Sequence, residues 1–505
     1  MRIIYIFALT NFLVGKMNKL FFKFNQVQFP YWVFTLGVFI IAILPSLVQD
    51  GMFIDGTQYA VVSKNYAHGL GTFWFPHITD NWDTMGSAWF LENPPLVYAI
   101  QGTFFKIFGD SLYTERIYSL FTALLAAFLI TRIWNLVTKK SKEIQVLSWL
   151  PVLIWVSMPI VFRSYQMNVQ ENTMGLFILA SVYFVLKGLG SSKYSNLYIF
   201  LGGVSVFLAT LCKGVTGLFP LAAVALYWLS GGKIRFQRML FFSLILLLVP
   251  ALFYILLLLN DSAYESLNFY YHARLLERIN NDPVVNSHFH IIFRLLLDLL
   301  PAIVVALIVF LVRRKKVKLS DHPEVNRFMI FFFFMGLAGS VPLALTLVQR
   351  EFYLGPSLPF FALAFSLFIS LSLAEAPELF SQKAQFFKVF KALSLSLMMG
   401  GLIYTALQIG KAGRDRDILQ DTYLMGEVIE EGTRVHLMAE RSQMDSLKHW
   451  NLELYLARYF NISLGEPLKD SRYIIFCEDG SLPDEDVFEQ VPLATETYLL
   501  YKRKD

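Results

Sequence analysis

Apolar residues in this chain are gathered into runs of about twenty, and no other feature limits its possible folds so strongly. A helix rises about 1.5 Å per residue, so some twenty residues cross roughly 30 Å of hydrocarbon. In hydrocarbon each peptide group has to be paired within the protein, and for runs of this length the helix meets that demand. The runs are Tyr31–Val48, Ile117–Val137, Val146–Phe162, Met174–Leu186, Leu197–Leu211, Val215–Leu229, Leu240–Leu259, Ile291–Val312, Phe328–Val348, Phe352–Leu373 and Leu393–Ile409. They predict a polytopic α-helical membrane protein with roughly 11–13 transmembrane helices. Composition agrees: 56% of the 505 residues are hydrophobic and 16% charged, where a soluble domain carries about a quarter charged.

Basic residues give the expected orientation. Lys19 and Lys23 precede the first run; Arg132, Lys139, Lys140 and Lys142 follow the second; Lys187 and Lys193 follow the fourth. Lys233, Arg235 and Arg238 follow the sixth, Arg313, Arg314, Lys315, Lys316 and Lys318 the eighth, and Lys383, Lys388 and Lys391 precede the last. All these loops share one side, which the positive-inside rule makes cytoplasmic. The net charge of +5 is therefore a matter of topology rather than of nucleic-acid binding. Residues 1–410 are expected to form the membrane domain, with a first periplasmic loop at about 49–116. Other outward segments surround Arg163–Glu171, Lys213, Asn260–His290 and Gln349–Glu351.

Residues 411–505 turn polar. Strand-like runs at Arg434–Met438, Tyr473–Cys477 and Thr497–Tyr501 and a helical run at Met444–Tyr459 predict a small soluble α/β domain, also periplasmic. Leu96–Phe108 is too short to cross and is expected to lie in the interface, with Lys106 at the headgroups. Ile3–Val14 is shorter still and resembles a weak signal segment. Met17 offers a second start, so residues 1–16 read equally as an extension or as part of the protein. Cys212 and Cys477 are too far apart to make a disulfide framework or a metal cluster.

The chemistry has to sit in the few polar outer loops. Asp55, in Phe53-Ile54-Asp55-Gly56-Thr57-Gln58-Tyr59-Ala60, follows the first run. It reads either as a general base or as a solvated loop acid, the role expected of Asp50. Glu171 begins the fourth run, where an acid also suits a helix N-terminus. Lys213 and Arg350 are cations on the outer face, where topology disfavours them. A phosphate ligand or snorkelling to headgroups accounts for each. His288-x-His290 lacks a third ligand at telling spacing, so loop histidines are expected there. Tyr270 and Tyr271 read as interface aromatics.

Four motifs stand in order along the membrane part. They are Asp55-(x)3-Tyr59-Ala60; Glu92-x-Pro94-Pro95-Leu96 with Phe108-Gly109-x-Ser111 and Arg116; Cys212-Lys213-Gly214-Val215-x-Gly217-Leu218; and Arg350-x-x-Tyr353-x-x-Pro356-x-x-Pro359. Together they resemble the GT-C glycosyltransferases, above all the aminoarabinose lipid A transferases and bacterial protein O-mannosyltransferases. The resemblance implies an inner-membrane enzyme using a polyprenyl-phosphate sugar donor, with inversion, and a lipid, glycan or protein acceptor. It implies Asp55 as catalytic base and Glu171 as the second acid, where the family typically has Asp. It also implies Tyr59, Glu92, Lys213, Arg350 and Tyr353 as substrate-binding residues.

Asn93 stands where the aminoarabinose transferases usually carry Lys, so that phosphate contact is not carried over. Some relatives use a divalent metal, which leaves a metal open; no ligand set is assigned and no other cofactor is implied. The alternative readings are a transporter or lipid flippase, and an inactive binding-only relative. The first would favour paired broken helices in two halves, and no internal repeat is found.

Overall fold

The computed structural model describes residues 27–79, 88–277, 283–313, 322–374, 381–382, 384–438, 447–465, 471–477 and 483–504. The expectations for residues 1–16, Lys19, Lys23, Arg314 to Lys318 and Lys383 lie outside them. The protein is a polytopic helical membrane protein with a small sheet-bearing tail. Among the described residues, 8 helices are long and apolar enough to cross a membrane. They are Phe29–Leu47, Thr114–Val137, Gln170–Gly190, Ser195–Lys213, Phe236–Leu257, the helix beginning at His290, the segment beginning at Pro323, and Gln385–Ala406. The first and last of them cross closely. A Cβ on Gly37 would meet the backbone of Met398 at 3.2 Å, and one on Gly401 would meet Ile41 at 2.7 Å, the small-residue contact that lets helices approach in lipid.

The other three predicted runs are helical but interrupted, and each interruption has a cause. Val146–Phe162 becomes two helices, Trp149–Val156 and Pro159–Gln166. Pro159 cannot donate to the preceding turn, and Met158 before it is extended with ψ of 126°. The freed amide of Ile160 donates to Asp298 Oδ1 at 3.0 Å from the helix His290–Arg313. A polar brace continues from there. Arg294 lies 3.6 Å from Asp298 and 2.8 Å from Glu351, and Arg163 lies 3.0 Å from Glu351.

Val215–Leu229 begins as a 3-10 helix, Val215–Ala222, and ends as an α-helix, Ala223–Leu229. The 3-10 rise of about 2 Å per residue stretches these few residues to roughly 26 Å. Gly217 permits this tight winding against the preceding helix, for a Cβ there would lie 2.8 Å from the Ala209 and Thr210 backbone. Phe352–Leu373 likewise divides into the turn Glu351–Leu354 and the helix Leu358–Ala374.

In the 49–116 loop, the helix Ile54–Ala67 packs on the helix Leu96–Phe108, which has the bounds expected from sequence. The tail holds a five-stranded mixed sheet: β1 Arg434–Met438, β2 Ser463–Gly465, β3 Tyr473–Cys477, β4 Phe488–Gln490 and β5 Tyr498–Arg503, in the order β2-β1-β3-β5-β4. β1 runs parallel to β2 and β3, while β5 is antiparallel to β3 and β4, with Ile475 opposite Leu500. The helices Arg416–Gly426 and Leu447–Phe460 bury Leu419, Leu452 and Leu456 in a core shared with Ile475 and Leu500. The sequence reading missed the first of these helices and the two short strands.

The tail is fastened to the 49–116 loop by buried polar contacts, and here one expectation is corrected. Asp50 is not a solvated loop acid. It is buried and accepts from Tyr423 at 2.6 Å and Tyr459 at 3.1 Å, with Arg116 3.9 Å away. Glu115 joins Arg116 at 3.0 Å to Arg458 of the tail at 2.7 Å. Arg458 also donates to the carbonyls of Asp110 and Ser111, at 3.1 and 2.8 Å. In return Lys64 donates to the carbonyls of Ala457 and Arg458, at 2.7 and 3.0 Å, and to the Asn461 side chain.

Burial, and then the nearby Arg458 charge, push the Lys64 ammonium down from its ordinary 10.5 to about 8, against weaker support from Asp110, Glu431 and Glu115. The folded group thus loses its proton before the unfolded one does. The burial penalty is fully present below about pH 8 and is relieved as pH rises toward 10.5. Relative to Lys64→Met, wild-type protein in detergent should therefore gain thermal stability with pH across that window. A difference that is flat or falls with pH contradicts the assignment.

Candidate active site

Three helix ends meet beneath the 49–116 loop. Asp55 lies in the first turn of Ile54–Ala67, Glu171 in the first turn of Gln170–Gly190, and Lys213 is the last residue of Ser195–Lys213. Each charge has the sign its helix terminus favours, acids at the N-termini and a cation at the C-terminus. Lys213 Nζ is 3.3 Å from Glu171 Oε1, and both side chains are nearly closed off from solvent, at 12% and 1% exposure. Lys213 also donates to the Tyr59 hydroxyl at 3.4 Å and lies 5.6 and 5.9 Å from the ring centres of Tyr59 and Tyr353. Asp55 stands within electrostatic reach of both Glu171 and Lys213. It is half-buried and makes no side-chain hydrogen bond among the described residues.

The register of these ends is set by Asn168, two residues before the helix that carries Glu171. Its φ of 53° is in the left-handed region, which Asn tolerates better than most residues. Its side chain donates to the Gly56 carbonyl at 3.0 Å and accepts from Gln101 at 3.0 Å. Gly56 has to be glycine, because a Cβ would lie 2.0 Å from the Met167 carbonyl oxygen. The loop before Glu171 is thereby pressed onto the turn that holds Asp55. Gln170 adds a bond to the Tyr98 hydroxyl at 2.6 Å. Burial, and then the Asp55 charge, raise the Tyr59 phenol well above its ordinary value, so it acts as a neutral hydroxyl.

Beside Lys213 lies a cavity of about 430 Å3 whose polar wall includes Glu92, Asn93, Lys213, Tyr270, Arg274 and Tyr353. Arg274, on the π-helical turn Tyr270–Leu276, forms an ion pair with Glu92. An apolar cavity of about 350 Å3 shares Val215, Leu218, Tyr270 and Leu275 with it. The Lys213–Gly214 turn separating helix from cavity is closely fitted. Gly214 has φ of +81°, and a Cβ there would fall 2.0 Å from the Tyr270 hydroxyl oxygen.

The structure thus gathers Asp55, Tyr59, Glu171, Lys213 and Tyr353 around one centre, with Glu92 across the cavity. Arg350 is exposed, precedes the Glu351–Leu354 turn and does not line the cavity. Arg274 supplies the second cation instead. Sequence reasoning placed it in the long fourth outer loop but gave it no role, although a basic residue in an outward loop is the same anomaly that singled out Lys213. Tyr270 and Tyr271 are cavity residues rather than only interface aromatics, Tyr270 lining both cavities and Tyr271 the apolar one. Among the described residues no group of three or more His, Cys, Asp and Glu comes together to hold a metal, and Glu171 faces an ammonium instead. That donor set does not fit a bound metal.

Removing one partner of a buried pair leaves the other charge stranded, at a cost of about 3–5 kcal/mol. Lys213→Met should accordingly lower the thermal midpoint of the detergent-purified protein, and Glu171→Gln added to it should recover most of the loss. A double variant no better than the single one rules out the pair as the reason for both residues.

Residues 92–258 match the sequence profile of the family described as dolichyl-phosphate-mannose-protein mannosyltransferase. No curated protein sequence matches the chain. Among solved structures, ArnT from Cupriavidus metallidurans bound to undecaprenyl phosphate is 14% identical, with a TM-score of 0.63 over 93% of this chain and 97% of that one. The same protein in the apo state gives 14% identity and 0.60, over 92% and 95%. The oligosaccharyltransferase of Archaeoglobus fulgidus in complex with Zn and sulfate is 13% identical, with a TM-score of 0.53 over 90% of this chain and 68% of that one. The likeness runs through membrane core and tail alike, and the fold to which this chain belongs is that of the GT-C glycosyltransferases.

Proposed function

We propose that the chain is an integral-membrane glycosyltransferase that moves a sugar from a polyprenyl-phosphate donor to a lipid, glycan or protein acceptor. It works at the periplasmic face of the bacterial inner membrane, with residues 1–410 as membrane domain and residues 411–505 as a soluble domain on that same face. One observation carries the reading. Asp55 is a carboxylate that makes no side-chain hydrogen bond among the described residues, and it stands within electrostatic reach of an ammonium that lines the cavity beside it. The undecaprenyl phosphate bound by ArnT supports a lipid-phosphate in the corresponding role here.

In this reading the prenyl chain occupies the apolar cavity around Val215 and Leu218, and the phosphate faces Lys213 and Arg274. The acceptor oxygen attacks the anomeric carbon from the side opposite the phosphate, and its proton passes to Asp55. The bond from the anomeric carbon to the phosphate oxygen breaks, and its electron pair leaves with the phosphate. Lys213 and Arg274 stabilise the charge that develops there, the guanidinium through paired N–H donors. Opposite-face attack inverts the anomeric centre. Glu171 keeps Lys213 charged and in place, while Tyr59 and Tyr353 flank it. Glu92 holds Arg274 until phosphate competes for it. No step runs through a metal.

Mass spectrometry of envelope lipids and glycans compares cells carrying a deletion, wild type or Asp55→Asn. A sugar-sized mass should vanish in both mutants, with turnover in the variant reduced by about a hundredfold or more. Full restoration by Asp55→Asn at normal protein level removes Asp55 as base and makes transport or an accessory role the better reading. In purified protein, Arg274→Gln should weaken undecaprenyl phosphate binding by roughly tenfold, the worth of one charge-assisted hydrogen bond. Unchanged affinity relocates the phosphate.

A further inference from the structure

The helix Leu447–Phe460 of the tail lies directly behind the helix that carries Asp55. Leu454 and Ala457 are buried in one cluster with Tyr59, Val61, Val62, Phe90 and Tyr98. Tyr455 reaches the turn just before Asp55, where its hydroxyl accepts from the Met52 amide at 3.0 Å and sits 3.1 Å from the Met52 carbonyl. The same hydroxyl donates to Asp415 of the tail at 2.9 Å. At the other end of the Asp55 helix, Lys64 closes the C-terminus of the tail helix through Ala457, Arg458 and Asn461. These carbonyls end a helix and have no partner within it, and a buried ammonium satisfies them. Lys64 is 2% exposed.

Both ends of the Asp55 helix are thus tied to one helix from the far end of the chain. A free-standing tail would not need this: a surface-docked domain shares a wet, polar interface, whereas Tyr455 and Lys64 are buried and make their bonds across more than 390 residues of chain. We propose that the tail is a positioning part of the active site, with Tyr455 and Lys64 as the positioning residues that hold the Asp55 helix at its working depth. Neither residue touches the reacting groups. Both act by fixing where Asp55 stands relative to Lys213 and Glu171, because Met52 lies just before the helix that carries Asp55 and Lys64 lies in the last turn of that same helix. The inference rests on the transferase reading for its effect on turnover, but not for its effect on the helix.

The experiment uses full-length protein in nanodiscs: wild type, Tyr455→Phe, Lys64→Met, and Arg472→Ala as a control in an exposed ion pair of the same domain. Hydrogen exchange of residues 52–60, the Met52 amide above all, reads the clamp without any substrate. Loss of the Tyr455 hydroxyl should speed that exchange by about tenfold. Thermal stabilisation by undecaprenyl phosphate reads the Lys213 cavity and should not change. The envelope modification in cells should fall by roughly tenfold to a hundredfold, as expected for a displaced catalytic group.

Faster exchange with retained undecaprenyl phosphate binding and lost modification supports the proposal. Unchanged exchange at 52–60 in Tyr455→Phe overturns it, as does faster exchange with modification intact. Loss of undecaprenyl phosphate binding together with modification also overturns it, since that is general unfolding. If Lys64→Met does not fold, Tyr455→Phe, which removes one oxygen and keeps the ring, decides alone. Wild-type cells without any sugar-sized modification sink the transferase reading, and the exchange result still settles the clamp.

Discussion

A buried charge in a membrane protein has to be answered by another, and the pair formed by Lys213 and Glu171 is what the arrangement of this molecule depends on. Neither residue could sit where it does alone. The pair joins the end of one span to the start of the one before it in the chain, across a helical hairpin. It requires the loop before Glu171 to be seated, which Asn168 and Gly56 accomplish. Seating that loop fixes the Asp55 turn, and the turn is in contact with the tail. A polar requirement at one point therefore reaches a sheet domain more than two hundred residues further along.

The same logic explains which parts of the fold were legible in the sequence. The runs stood out because lipid demands length and apolarity from every crossing; each has a helix at its place, although the last begins at Gln385 rather than Leu393. Their interruptions were less visible. Val146–Phe162 was read as one run although it holds Pro159, and that Asp298 would accept the freed amide depends on a helix 138 positions away. The 3-10 winding of Val215–Ala222 has no signature beyond the apolar run itself. In the tail, β1 and β3 were readable from β-branched and aromatic runs, whereas β2 and β4, three residues each, were too short to be read.

The site shows a similar division. Asp55, Glu171 and Lys213 were visible because family resemblance and topology pointed at the same residues, and the structure brings them together. Asp50 looks in sequence like an ordinary loop charge, and Arg116 is marked only by its place in the family motif. They are buried because Tyr423, Tyr459 and Arg458 arrive from the far end of the chain. Burial created by distant partners leaves no local pattern. Arg350 illustrates the converse: it carried the family pattern, but its side chain lies outside the cavity and Arg274 stands there instead. A motif transmits backbone geometry more dependably than it transmits which cation lines the cavity.

The 3-10 stretch also bears on the surrounding lipid. Val215–Leu229 reaches roughly 26 Å, a few ångströms short of a hydrocarbon layer of roughly 30 Å, and a short apolar segment is met by local thinning of the bilayer. This segment forms a wall of both cavities. Lipid beside it meets a shorter apolar wall than lipid beside the longer helices. A long-chain amphiphile that leaves the bilayer at that point relieves part of the deformation as it goes. For the lipid donor proposed above, the winding of eight residues would favour entry at the place where the two cavities lie.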